Sequence, residues 1–293
     1  MSQVLSTQIA DVQLSELILG TMRLAVEQPD ANLAVLRFLH EQGVDTHHVS
    51  SEYDTYSSYL ALHDQLKQEG FATKHIIKLA APHFGEKRFD AVSFEERIDR
   101  ELANLGVEQL TMVQWMFRME KLDDDYRVKV TSEQVDEIAE TFSLLKKKGK
   151  VAEFGHFPYS NIYAKHVLDI NLNRTVISYL NLFELQDVTL AQQNSFIALR
   201  PFAAGRIKTL LENHELINTL AAENVWSREE VKAAIAFFPL LYPRVQAVVC
   251  SLNNLTQAKS ALKYYEDVKK LQSNSIDFEN TIRKMTNFVT RNY

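Results

Sequence analysis

Eight short apolar runs, spread along nearly the whole chain and separated by helical patterns, constrain this sequence more than anything else in it. They span residues 17–22, 44–49, 76–80, 110–117, 151–157, 176–182, 196–202 and 245–252. Between them, residues 32–41, 58–68, 94–105, 132–147, 162–169, 206–220 with 228–238, and 255–264 read as helices, while 184–194 is ambiguous. Leu33, Leu36 and Leu39 recur at three-residue steps, and Ile138, Phe142 and Leu145 at four and three, the spacing of one helix face. Continuous apolar strands imply burial on both sides, which parallel strands need. Eight of them, most followed by a helix, predict an α/β chain folded as a (β/α)8 TIM barrel, one domain over 1–293. The rival, a doubly wound open sheet, would want a glycine-rich turn after its first strand. None is there, and the chain holds only 8 glycines. Residues 4–14 fit a hairpin closing the barrel floor. Past Tyr264, the spacing of Phe278, Ile282, Met285 and Phe288 predicts a C-terminal helical extension. Ser227 before Arg228-Glu229-Glu230 reads as a helix N-cap.

A barrel interior is filled with side chains, so chemistry sits where the strands end. Two runs open into polar residues there. GVDTHHVSSEY, residues 43–53, carries Asp45, His47, His48, Glu52 and Tyr53. HIIKLAAP, residues 75–82, has Lys78 alone in an apolar run, and a buried lysine wants a partner, for which Asp45 is the obvious candidate. The bland alternative is a structural ion pair. The His47-His48 pair does not read as a metal site, because neighbours on a strand face opposite ways and no ligand-spaced carboxylate or cysteine accompanies them. Either imidazole could instead meet a substrate, and with Glu52 and Arg118 at the mouth a hydroxylated or charged molecule is expected. Asp123-Asp124-Asp125 reads as a solvated helix start, and Lys146-Lys147-Lys148 as cations at a helix C-terminus.

A net charge of −6 without a basic face argues against nucleic acid or anionic membrane as partner. One cysteine, Cys250, permits no internal disulfide, and no run approaches a membrane span. A soluble cytoplasmic protein acting on a small molecule is expected.

In order and spacing, the motifs from about residue 15 to 265 resemble the aldo-keto reductase superfamily. LILGTMR (17–23), GVDT (43–46), Lys78, EQLTMVQW (108–115), KKGKVAEFG (147–155), RPFAAGR (200–206) and CSLNNLTQAKSAL (250–262) look like successive strand exits of that family. The resemblance implies reduction of an aldehyde or ketone, sugar-like compounds included, by NADP or NAD in reduced form, without metal. It also implies a catalytic Asp, Tyr, Lys and His. Asp45 and Lys78 carry over. Counted from Asp45 the tyrosine position falls on Ser50, and counted back from the next helix on Tyr53; a loop three residues longer reconciles them and makes Tyr53 the proton donor, with Tyr56 and Tyr59 as stand-ins. The histidine position holds Met116, or Trp115 if the register slips, so His47, His48 or His156 would have to serve. Where the family holds the nicotinamide amide stand Phe157 and Pro158, with Ser160 and Asn161 just beyond. Arg200, Pro201 and Gly205, then Ser251, Asn253 and Lys259, are the remaining cofactor candidates. These departures leave open a barrel that has lost catalysis and serves as a binding or scaffold protein. A third reading makes Lys78 a nucleophile or base toward a carbonyl compound.

Overall fold

The computed structural model describes residues 3–273 and 278–293. The chain opens with an antiparallel hairpin, β1 (Ser6–Ile9) and β2 (Val12–Ser15), turned by Ala10 at φ 48°. In order there follow β3 (Leu17–Gly20), α1 (Pro29–Glu41), β4 (Thr46–Val49), α2 (Tyr56–Gln68), β5 (Lys74–His83), α3 (Ala91–Leu105) and β6 (Leu110–Arg118). The second half carries α4 (Asp124–Glu133), α5 (Val135–Lys147), β7 (Val151–His156), α6 (Asn161–Asp169), β8 (Thr175–Tyr179), α7 (Val188–Gln193) and β9 (Ser195–Leu199). Last come α8 (Ile207–Leu211), α9 (His214–Asn224), α10 (Arg228–Ala236), β10 (Val245–Cys250), α11 (Leu255–Ser273) and α12 (Glu279–Asn292). Strands β3 to β10 pair in parallel in chain order, and β10 closes on β3. All eight apolar runs are barrel strands, as their pattern predicts, and the hairpin and C-terminal helix are present.

Side-chain alternation along these strands decides which residues can reach the mouth. Ile18, Ile76, Ala80, Met112, Met116, Phe157, Ile177, Ile197, Leu199, Ala247 and Val249 fill the barrel axis, and Ile9, Val12 and Leu14 of the hairpin stopper its lower end. The intervening positions, such as Leu19, Val49, Ile77, Trp115 and Phe154, face the helices. That outer layer is tightly packed: Phe142 of α5 stacks on Phe154 of β7 with centroids 4.0 Å apart, and Leu33, Leu36 and Leu39 of α1 are buried. Each such leucine contributes roughly 1.5–3 kcal/mol by leaving water. Gly155 is required inside, since a Cβ there would lie 2.7 Å from Ile177 Cδ1.

Two helical expectations change in detail. The helix expected over 132–147 is two, α4 and α5, meeting at Gln134, whose side-chain amide bonds both the N–H and the carbonyl of Phe89 at 2.9 Å. The one expected over 206–220 is likewise divided, because Asn213 caps a fresh start at α9. Ser227 does cap α10, in a full capping box with Glu230. No helix among the described residues is long and apolar enough to cross a membrane.

Candidate active site

The polar residues after β4 meet the ends of β5 and β6 around one carboxylate. Glu52 stands 3.4 Å from the Lys78 ammonium, accepts from His83 Nε2 at 2.9 Å, and is ion-paired with Arg118 Nη1. His83 and Arg118 are register partners at the ends of β5 and β6. Beside this cluster the Lys78 ammonium lies over the Tyr53 ring, 5.0 Å from its centroid. Phenol and ammonium therefore meet through the ring face.

Asp45 is not part of this group. It precedes β4, so it sits at the strand's entry, where it pairs with Lys74 at 2.8 Å and accepts from Thr46 Oγ1 at 3.0 Å. Thr46 and Lys74 are in register, and Lys78 lies four residues further up β5, about 13 Å away at strand rise. The expected Asp45–Lys78 pair does not form. The three-residue mismatch in the tyrosine count has the same origin. Counted back from Tyr53 at the family spacing, the carboxylate position is His48, which faces into the barrel. An imidazole occupies that place, and the carboxylate beside Lys78 is Glu52 of the following loop.

His48 is 4% exposed and hydrogen-bonded through Nε2 to Gln114 Oε1. Burial, opposed by that bond and helped by the charge of Lys78, takes its pKa down to about 4. It is therefore neutral at pH 7, with Nε2 as the donor nitrogen. His47 faces the helices instead: its Nδ1 shares the Tyr59 hydroxyl with His75 Nε2, at 2.9 and 3.1 Å, and its ring lies against His40. It is thus removed from the substrate side, as is Tyr59. Tyr56 is committed too, its hydroxyl donating to the buried Glu101. Trp115 points outward and donates to the Ala81 carbonyl at 2.7 Å, leaving Met116 as the inward residue of β6. His156 takes an outward position between inward Gly155 and Phe157, buried near Asn173 and Thr175. It cannot serve at the mouth.

The far wall is aromatic. Phe157 lies edge-on to Tyr159 at 4.6 Å and to Tyr179 at 5.1 Å, and the Arg200 guanidinium sits 4.9 Å from the Tyr179 centroid while pairing with Glu184 at 3.1 Å. Burial, with the neighbouring Tyr179 and Glu52, lifts the Tyr53 hydroxyl well above the usual phenol range, against the pull of Arg118. Burial also pushes the Lys78 ammonium down, with Glu52 resisting and Arg118 assisting. For Glu52 burial works upward, but Lys78, Arg118 and His83 outweigh it and its carboxyl ends below the usual range. The mouth is thus a protonated phenol beside a restrained ammonium, facing aromatic rings. Such a group donates a proton to a strong base that forms next to it and to little else.

The cofactor candidates separate into two groups. Ser160 caps α6 by accepting from Tyr163 N at 3.1 Å and donates to Asp124 at 2.9 Å; Asn161 donates to the Gln186 carbonyl at 2.7 Å. Both are occupied in starting the helix. Pro201 is buried, Gly205 is exposed at φ 95°, and Lys259 lies over the Phe38 ring at 5.8 Å. At the β10 exit the surroundings suit a ligand better. Asn253 has a buried side-chain oxygen with no hydrogen-bond partner, and Ser251 Oγ lies 3.2 Å from where a Cβ on Gly20 would be, so only glycine leaves that approach open. Among the described residues no group of three or more His, Cys, Asp or Glu side chains is placed to hold a metal ion. Cavities of about 670 Å³ between α9 and α12 and about 370 Å³ at the barrel floor are lined by none of the mouth residues.

His83, Gln114, Tyr159 and Tyr179 also line this mouth and are absent from the residues singled out in the sequence. Gln114 and Tyr179 could have been found by alternation, since each is an inward position in its strand. His83 and Tyr159 lie past any periodic signal.

The fold is similar to that of solved aldo-keto reductases. An aldo-keto reductase from Bacillus halodurans, in its holo form, superposes with a TM-score of 0.69 at 15% identity, covering 98% of this chain and 96% of that one. A thermostable aldo-keto reductase bound to the inhibitor epalrestat gives 0.66 at 11% identity, over 97% and 99%. A putative aldo-keto reductase from Pseudomonas aeruginosa gives 0.63 at 14%, over 91% and 97%. No protein-family model matches the chain, and no curated protein matches it in sequence.

Proposed function

We propose that the protein is an NAD(P)H-dependent reductase of a small aldehyde or ketone, with a catalytic group drawn from Tyr53, Lys78 and Glu52. The observation that carries this reading is the Lys78 ammonium held against the Tyr53 ring, 5.0 Å from its centroid, at two adjacent strand exits. When bound, the nicotinamide would supply the hydride. Tyr53 stays protonated at neutral pH and gives its proton to the oxyanion that develops on the substrate. Lys78 lies close enough to stabilise the phenolate left behind, and Glu52 keeps the ammonium in place. Phe157 would line the nicotinamide side of the pocket, while Ser251 and the unpartnered Asn253 oxygen would meet polar groups further along the dinucleotide. Lys78 with Arg118 favours a substrate carrying hydroxyl or acidic groups, a sugar-like carbonyl compound among them.

Titration with NADPH and with NADH, followed by nucleotide fluorescence, should show saturable binding at submillimolar concentration. Turnover of a panel of aldehydes, ketones and aldoses should then fall at least 100-fold in Tyr53→Phe. A second reading, a barrel that binds without reducing, is favoured by Asp45 being engaged with Lys74 and by Ser160 and Asn161 serving the start of α6. Absence of binding by either nucleotide at millimolar levels would decide for it.

A further inference from the structure

We infer that Tyr159 is a second working phenol of the mouth, donating a hydrogen bond to the substrate carbonyl oxygen that Tyr53 protonates, and that Arg127 positions it. This rests on the carbonyl-reductase reading above.

Tyr159 follows Phe157 and Pro158 at the β7 exit with φ 61°, in the left-handed region. A bulky aromatic residue is disfavoured there and persists only where its surroundings enforce it. The enforcement is visible on both flanks. Arg127 of α4 is 0% exposed; its guanidinium lies 3.7 Å from the Tyr163 ring centroid and 5.7 Å from that of Tyr159. One arm pairs with Asp124 at 2.9 Å, and the other donates to the Pro158 carbonyl, the residue before Tyr159. Asp124 in turn accepts from Ser160 Oγ at 2.9 Å, the residue after it. A single ion pair, its arginine fully buried and its aspartate partly so, therefore holds residues 158 and 160 and presents the tyrosine between them. So costly a buried charge placed under a strained exit loop has a clear result, which is the direction of that phenol.

The Tyr159 hydroxyl is left with a poor partner, Met116 Sδ at 3.6 Å. A thioether accepts weakly, so the hydroxyl can turn to a better oxygen at small cost. Met116 is in register with Ala80, two residues from Lys78, which places this hydroxyl on the Lys78 side of the mouth. Tyr159 feels Arg118, Glu52 and Tyr179, and Tyr53 feels Tyr159, Tyr179, Glu52 and Arg118, so both phenols face one space. The imidazoles are otherwise engaged: His47 and His156 face outward, His48 is bonded to Gln114, and His83 is bonded through Nε2 to Glu52.

Tyr159→Phe deletes the hydroxyl and keeps the ring, so the fold is undisturbed. Steady-state reduction of the aldehyde panel should show kcat about 100- to 1,000-fold lower, the scale of one lost oxyanion donor, with nucleotide quenching and melting temperature unchanged. Arg127→Lys keeps a charge for Asp124 but drops the reach to Pro158. It should lower kcat in the parent and leave it unaltered in a Tyr159→Phe background. Parent turnover matched within twofold by Tyr159→Phe overturns the role of Tyr159 alone. Equal loss from Arg127→Lys in both backgrounds overturns the positioning. A parent that reduces none of the panel overturns the reductase reading and this inference with it.

Discussion

Acidification from pH 7 to pH 5 should remove much of the stability of this barrel through its buried imidazoles. His48, His75 and His156 are 4%, 1% and 1% exposed. Burial takes them from the usual 6.5 to about 4, about 3 and about 4 respectively. The unfolded chain therefore binds protons at a higher pH than the fold does. The stability conferred by neutral imidazoles is complete above 6.5 and declines as pH falls toward 4. Each group contributes a loss of about 1.4 kcal/mol per pH unit, so at pH 5 each has lost about 2 kcal/mol and the three together about 6. Burial lowers His47 as well, with the same sign. Domains of ordinary stability have roughly 5–15 kcal/mol to lose. Urea unfolding followed by far-UV circular dichroism at pH 7, 6 and 5 measures this directly. With a slope of about 3 kcal/mol per molar, the midpoint should fall by about 2 M. His156→Leu should remove about a third of that fall. A midpoint equal at pH 7 and pH 5 within 0.3 M would refute the buried neutral state of these rings.

Three further outcomes follow from single contacts. Glu52→Gln takes away a charge 3.4 Å from Lys78, an interaction between about 1 kcal/mol at the dielectric of water and about 5 at an effective value of 20, so acetylation of Lys78 at pH 7.5, read by peptide mass spectrometry, should accelerate several-fold. Asp45→Asn breaks only a half-exposed pair with Lys74 at the barrel floor; it should cost under about 1 kcal/mol in denaturant and leave nucleotide binding unchanged. A loss of binding would return Asp45 to the site. Gly155→Ala drives a methyl to 2.7 Å from Ile177 Cδ1 and should destabilise by about 1–3 kcal/mol, seen as a lower melting temperature.

Most barrel strands could be read from the sequence because each is an apolar run long enough to stand alone, from Leu17–Gly20 to Val245–Cys250. By contrast β4, Thr46–Val49, holds two imidazoles and was read from its place in the alternation of strands and helices. The order of motifs along the chain was legible too. What misled was matching GVDT by its letters. Asp45 lies one residue before β4 and shares the outward parity of His47 and Val49, so alternation alone assigns it to the helix side. The same alternation separates His47 from His48 and picks Met116 over Trp115, and at those positions a reading from sequence could have been complete. Contacts made by loops were beyond it. Glu52 finds Lys78, His83 and Arg118 at 26, 31 and 66 residues' distance along the chain, which no local pattern records. Nor does any residue type announce the left-handed backbone of Tyr159, since aromatic residues seldom adopt it. Asp124 illustrates the opposite error: in a run of three acids it reads as solvated, yet it is the counter-ion of the most deeply buried arginine.

Because Glu52 grips groups from both neighbouring exits, the β4, β5 and β6 side of the rim behaves as one body. Any guest bringing its own acidic group would compete with Glu52 for Lys78 and Arg118. Winning that competition would unfasten the loop after β4 from the ends of β5 and β6, so admission and loosening on this side become a single event. The aromatic side, anchored separately through Arg127 and Arg200, would stay still while it happened.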